Sequence, residues 1–271
     1  MRALVALALL LTSGLTPALA APGGCVTGDA AALPEGPVAV GVSVADLGTG
    51  RRPCARTEVG LAVRGAGIID TPQFYGNVGA QAVLFGSFAW RPGTEVFAAL
   101  EAISFGFTQN ATLTTTQLTF GNLTVGATQV VYQLERLTGA VTGRLLAPTS
   151  FEIPGMRPLG IEVGHSFIAR PIGWLELHGA LGAEVTAALG AARGDPRFGG
   201  FLLGGASLQP TSWFAFVLDV TGRVGRVSSL SPAAALRFRI GALGLDLAGT
   251  LPIVGNDRHD FAAALRASWR F

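Results

Sequence analysis

The chain has no lysine, few charges (13% of residues), three histidines and two cysteines in 271 residues. Each scarcity excludes something. All 19 basic residues are arginine and face 17 acids, a near-neutral balance that argues against a nucleic-acid partner. The missing lysines point to a GC-rich genome and carry no mechanism. Sparse His and Cys leave no spacing that reads as a metal site, and no metal or other cofactor is expected. No phosphate loop or dinucleotide fingerprint occurs. After Leu15 there is also no run of about 18 apolar residues, so no helix is expected to cross a membrane. Yet hydrophobic residues make up 49% of the chain, so the apolar content is dispersed. With 38 glycines and abundant Ala and Thr, long helices are disfavoured and closely packed strands favoured.

The first residues stand apart. Arg2, an apolar run from Ala3 to Leu11 and the tripeptide Ala18-Leu19-Ala20 make a secretory signal peptide, 1–20, with cleavage expected after Ala20. Cleavage leaves 18 arginines against 17 acids, a net charge of +1. Residues 21–54 then hold Cys25 and Cys54 around Pro34, Pro37 and several glycines. An even cysteine pair in an exported chain is expected to form a disulfide, which would stabilise by roughly 3 to 4 kcal/mol. The alternative is acylation of Cys25, although Pro22-Gly23-Gly24 lacks the Leu usual three residues before a lipidated cysteine.

From residue 55 onward the pattern changes to alternating segments of about ten residues, separated by connections that are alternately short and long. Strands are predicted at 55–65, 78–90, 95–105, 118–132, 137–147, 158–170, 174–186, 198–208, 212–224, 232–240, 243–252 and 260–271, twelve in all. Short turns such as Arg91-Pro92-Gly93-Thr94 and Gly241-Ala242 are rich in Pro and Gly, while the longer connections are more polar. Pro37 to Val44 also alternates and is read as a segment or accessory strand outside this series.

Charge placement sharpens the reading. Within each strand holding several charges, they share one parity: Arg56, Glu58 and Arg64; Glu95 and Glu101; Glu162 and Arg170; Glu176 and Glu184; Asp219 and Arg223; Arg237 and Arg239; Arg266 and Arg270. The opposite parity is mostly apolar, for example Phe214, Phe216, Leu218 and Val220. A charge facing lipid at the midplane costs roughly 2 to 4 kcal/mol, so such sorting is what a bilayer-spanning strand requires. The four tryptophans fall beside short turns, as an interfacial girdle would place them. Strand parity turns Trp174 and Trp213 inward, however, so interior packing stands beside the girdle as an alternative for those two.

The last eleven residues, Phe261 to Phe271, put Phe261, Ala263, Leu265, Ala267, Trp269 and Phe271 on one face and Arg266 and Arg270 on the other. A terminal strand ending in Phe resembles that of bacterial outer-membrane β-barrels. The resemblance implies that Trp269 and Phe271 form a signal read by the barrel-assembly machinery. An edge strand of a soluble sandwich alternates equally well. The segments Phe120-Gly-Asn-Leu-Thr-Val-Gly-Ala127, Leu145-Leu-Ala-Pro-Thr149 and Trp174-Leu-Glu-Leu-His-Gly-Ala180 resemble the outer-membrane proteins grouped with the meta-pathway of phenol degradation, although Asn122 and Ser150 depart from the usual Asp and Gly. That resemblance implies an outer-membrane channel or transporter, with an aromatic solute suggested by the family name.

The expected fold is therefore all-β, a transmembrane antiparallel up-and-down barrel of about twelve strands over 55–271, with both termini in the periplasm. Its lumen is expected to be lined by Arg64, Glu101, Arg144, Glu162, Glu176, His178, Glu184, Asp219, Arg223, Arg237, Arg239, Asp246 and Arg266. Two uses of that lumen stand side by side. One is a path for small solutes, aromatic or hydrophobic ones among them; the other is a structural barrel plugged by its own ion pairs, with loops that bind something outside. A lipid-modifying enzyme is a third reading, since some barrels of this size are phospholipases. Its only candidate pair, His165-Ser166, points to opposite faces of a strand, and no His-x-Ser occurs. The partners expected are outer-membrane lipid, the assembly machinery and a small solute.

Overall fold

The computed structural model describes residues 55, 57–70, 75–109, 114–119, 122–148, 158–188, 196–225, 228–251, 253–255 and 261–271. The expected signal peptide, Cys25, Cys54, the 37–44 segment, Arg56, Ser150 and His259 lie outside these residues.

The described chain is all strand and turn. In order come β1 (Glu58–Asp70), β2 (Tyr75–Arg91), β3 (Thr94–Gln109), β4 (Thr114–Thr119), β5 (Asn122–Gln133), β6 (Leu137–Pro148) and β7 (Pro158–Ile172). There follow β8 (Leu175–Ala188), β9 (Arg197–Thr211), β10 (Phe214–Val224), β11 (Ser229–Ile240), β12 (Leu243–Thr250), β13 (Val254–Gly255) and β14 (Phe261–Arg270). β4 pairs with the far half of β3 where β5 pairs with its near half, and β13 pairs with the end of β11 beyond β12. The remaining strands are twelve staves, each antiparallel to its neighbours, and the pairings β10 with β11 and β14 with β1 close the sheet. Closure gives every stave two neighbours, so none forms a sheet edge. The predicted strand 118–132 thus splits into β4 and β5, β1, β2 and β3 run several residues beyond their predicted ends at the long-loop side, and β9 runs three residues into the short turn predicted at 209–211.

The two faces of the staves differ in kind. In β10, Ala215, Val217, Asp219 and Thr221 are buried inside, whereas Leu218 and Val220 are each 47% exposed outside. The same alternation sets Leu61, Val63, Leu84, Leu100, Leu181, Leu202, Leu247 and Leu265 on the outer surface. A soluble sandwich buries its large apolar side chains between two sheets and exposes its charges. Here that order is inverted, which removes the sandwich alternative. Exposed to water, a large apolar side chain forgoes roughly 1.5 to 3 kcal/mol of burial; against acyl chains it does not.

Irregularities adjust the alternation. The register between β2 and β3 shifts between Ala82 and Val83, leaving Ala102 extra, so Glu101 is buried while Ile103 and Phe105 lie outside. A shift between Val130 and Tyr132 on β5 brings the Tyr132 ring to the outer face, stacked on His165 at 5.7 Å. Gly93 and Gly241 take positive φ (76° and 60°) in two of the short turns, a conformation that costs glycine little.

Between the girdle and interior packing for Trp174 and Trp213, the structure decides for the girdle. Both occupy the last position of a tight turn, so strand parity does not reach them, and both are exposed, as are Trp90 and Trp269. Trp213 stacks on Phe238 and Phe214, which face outward. All four tryptophans therefore ring the outer surface at the short-turn end, the position of an interfacial aromatic belt.

Candidate functional site

The interior of the barrel gathers the charges that lie on alternate positions of its staves. Adjacent strands of known register bring them side by side, and the network divides into two walls.

On the wall formed by β11, β12, β14 and β1, five side chains join in a chain. Arg237 Nε donates to Asp246 Oδ1 at 2.9 Å, and Arg266 Nη1 donates to Asp246 Oδ2 at 3.2 Å. Arg266 Nη2 also donates to Glu58 Oε1 at 2.7 Å, and Arg270 Nε lies 3.7 Å from Glu58 Oε2. Under Arg266, the Phe85 ring lies 4.8 Å from its guanidinium carbon, within cation–π range. Arg64 donates from Nε to Gln81 Oε1 at 3.0 Å. Arg239, half-buried at the same parity as Arg237, has no ion pair among the described residues.

Across the barrel, on β6, β7 and β8, Arg144 Nη2 donates to Glu162 Oε2 at 2.6 Å, with both side chains 2% exposed. Glu184, half-buried, lies opposite Glu162 in register. Arg170 Nε donates to Glu176 Oε2 at 3.0 Å. Thr128 and Thr142 hydroxyls bond each other at 2.9 Å on the neighbouring staves β5 and β6. Glu95 and Glu101 are buried on β3, and Arg223 is half-buried on β10.

His178 and Asp219 form a buried pair although a whole strand, β9, separates β8 from β10. Gly205 makes this possible. It lies opposite His178 on one side and Asp219 on the other, and a Cβ there would run into both His178 Nε2 and the Asp219 carboxylate. The sequence pattern placed both His178 and Asp219 in the interior without pairing them; they lie 41 residues apart in the chain. No local signal encodes that partner, but a glycine on the stave between two polar residues is the mark it leaves.

Also missed were the rings that turn inward. Phe85, Phe97 and Phe201 are buried inside, each lying across glycines of neighbouring staves. Phe201 covers Gly164 and Gly182, where a Cβ on Gly164 would stand 2.8 Å from its Cζ. His165 and Ser166 are separated by the sheet: Ser166 is buried inside, His165 stacks outside on Tyr132. They do not form a nucleophile and base. Trp269 and Phe271 lie exposed at the short-turn end, where the Phe271 backbone N–H donates to Thr57 O at 3.2 Å.

No protein-family model matches the chain, and no curated protein matches it. Among solved structures, an outer membrane channel from Pseudomonas putida F1 is similar with a TM-score of 0.64 at 11% identity, over 85% of this chain and 100% of that one. The KdgM porin, solved in complex with disordered oligogalacturonate, is similar with a TM-score of 0.52 at 9% identity, over 79% of this chain and 99% of that one. At such identities the likeness is one of fold: this chain has the closed antiparallel barrel of bacterial outer-membrane proteins.

Proposed function

We propose that the chain is an outer-membrane channel that passes small solutes through its charged interior. The observation that carries this reading is the inversion of the two faces: apolar side chains outside, arginine, carboxylate and hydroxyl side chains inside a closed twelve-stave barrel. Twelve strands lie between the eight that side chains fill and the sixteen to eighteen that leave a wide aqueous pore. Both solved relatives named above are described as a channel or porin, which supports the same use of the fold. In this reading residues 1–20 direct export, Cys25 and Cys54 pair in the periplasm, both termini face it, and Trp269 and Phe271 are read by the assembly machinery. The resemblance to the phenol meta-pathway proteins adds an aromatic solute.

A second reading draws on the density of interior ion pairs. Arg144 with Glu162, and Arg266 with both Glu58 and Asp246, would then staple the interior closed, leaving a structural barrel. Single-channel recording of the refolded mature chain in a planar bilayer separates the two. Discrete conductance steps are expected of the channel. A heat-modifiable, folded barrel that stays silent contradicts it and supports the stapled form.

A further inference from the structure

One pair of rings breaks the apolar outer face. Tyr132 on β5 and His165 on β7 stack there with centroids 5.7 Å apart, each half-buried. The Tyr132 ring crosses Gly139 of β6, where a Cβ would run into its Cζ and hydroxyl, and glycine is what lets it reach the next stave. Val141, Val163, Phe167 and Leu181 stand around the pair. Thr94 and Gln129, also outward, lie at the short-turn end and are bonded: the Thr94 hydroxyl donates to Gln129 Oε1 at 2.6 Å, and Gln129 Nε2 donates to Val130 O at 2.9 Å. Among the described residues, the side chains of Tyr132 and His165 make no hydrogen bond.

Depth makes that costly. His165 is the central residue of β7 (Pro158–Ile172). At about 3.3 Å per residue on a strand tilted about 40°, its backbone stands roughly 18 Å above the tryptophan belt at the short-turn end. Acyl chains there neither donate nor accept, so a hydroxyl and an imidazole facing them are left unsatisfied. A polar group at that depth calls for a protein partner rather than a lipid headgroup. The pair itself supplies both halves of what it lacks: a tyrosine hydroxyl donates and accepts, and an uncharged imidazole has one N–H and one acceptor nitrogen. Such a patch is its own complement across a twofold axis.

The surface beside the rings is low. Ala127, Gly143, Val163 and Ala183 form one row across β5 to β8, and nothing stands within 4 Å of where a Gly143 Cβ would be. The diametrically opposite staves in the ring order, β11, β12, β14 and β1, carry the row Leu236, Leu247, Leu265 and Val63. Short side chains let a second barrel come close enough for the rings to meet.

We propose that the outer face of β5 to β8 is the interface of a twofold dimer, in which the Tyr132 side chain of each copy hydrogen-bonds the partner's His165. The pairing does not depend on whether the interior conducts. The experiment uses the refolded mature chain with Cys25 and Cys54 replaced by serine, in phosphatidylcholine vesicles. Donor and acceptor dyes are attached at Gly173→Cys, in an exposed short turn. Energy transfer should exceed that of randomly dispersed barrels and fall as unlabelled chain is added. Tyr132→Phe, which keeps the ring and removes the hydroxyl, should raise the dissociation constant by about tenfold or more, since each half of the interface loses a hydrogen bond. His165→Leu should do the same, and Leu265→Ala on the opposite side should change nothing.

Should either variant fail to reach the heat-modifiable form, oxidative cross-linking reads the interface without touching the rings. A single cysteine at Val163 should give a disulfide-linked dimer, and one at Leu265 should not. Transfer no greater than random collision overturns the dimer and leaves the rings to lipid or to a different protein. Association undiminished in both ring variants, or cross-linking at Leu265 as strong as at Val163, overturns the assignment of this face.

Discussion

The outer and inner faces of one strand, β10, place Leu218 and Asp219 next to each other in sequence and in opposite solvents. Outside, Leu218 and Val220 stand exposed and Phe214 lies against Trp213 and Phe238; inside, Asp219 pairs with His178 and Val217 packs beside Ala235. The outside tolerates any large apolar residue because lipid is fluid and imposes no shape. The inside is specified residue by residue, through register, glycine gaps and charge pairs. Side-chain size follows the same division, with small residues such as Ala62, Ala235, Ala248 and Ala264 inside and leucines outside.

The largest way to break this contrast is to strand an interior charge. Arg144→Met leaves Glu162 buried opposite Glu184 and should cost about 3 to 5 kcal/mol, measured by urea unfolding of the lipid-reconstituted barrel. Replacing Glu162 with Met as well should recover most of the loss. Recovery that fails would mean that the pair does more than neutralise itself. Placing a charge on the other face comes next: Leu218→Arg should cost about 2 to 4 kcal/mol by the same measurement, with less material reaching the heat-modifiable form. An unchanged midpoint would mean that the outer face meets water.

A smaller effect is expected at Gly205→Ala, where the new methyl displaces the His178 and Asp219 side chains. About 1 to 3 kcal/mol is expected, with a change in the histidine ring resonances seen by NMR. The smallest is Trp213→Ala at the short-turn end. Loss of its stacking on Phe238 and Phe214 should cost about 1 kcal/mol, visible as a small shift in unfolding midpoint and a lower Trp fluorescence.

Much of the fold is legible in the sequence because the bilayer imposes a two-residue rule on each stave. The parity of Arg266 and Arg270 in β14 or of Glu176 and Glu184 in β8 needs no knowledge of neighbours. Turn chemistry did less well at its margins: Trp174 and Trp213 sit past the strand ends, where the alternation no longer holds. The flip at Ala102 was equally hidden, since a bulge leaves no distinctive residue in Leu100-Glu-Ala-Ile103. Pairing partners were the least legible. Glu58 meets Arg266 across 208 positions, through the closure of β1 on β14, and only the register between staves discloses it.

The central claim is that alternate residues of these strands face lipid and a polar interior. Its most direct test is a nitroxide scan of β10 in lipid vesicles, with Cys25 and Cys54 replaced by serine and single cysteines placed in turn at Phe216, Val217, Leu218, Asp219, Val220 and Thr221. Collision with oxygen, which concentrates in acyl chains, should peak at Phe216, Leu218 and Val220 and fall at the three positions between. An absent two-residue period, or peaks at Val217, Asp219 and Thr221, would contradict the account.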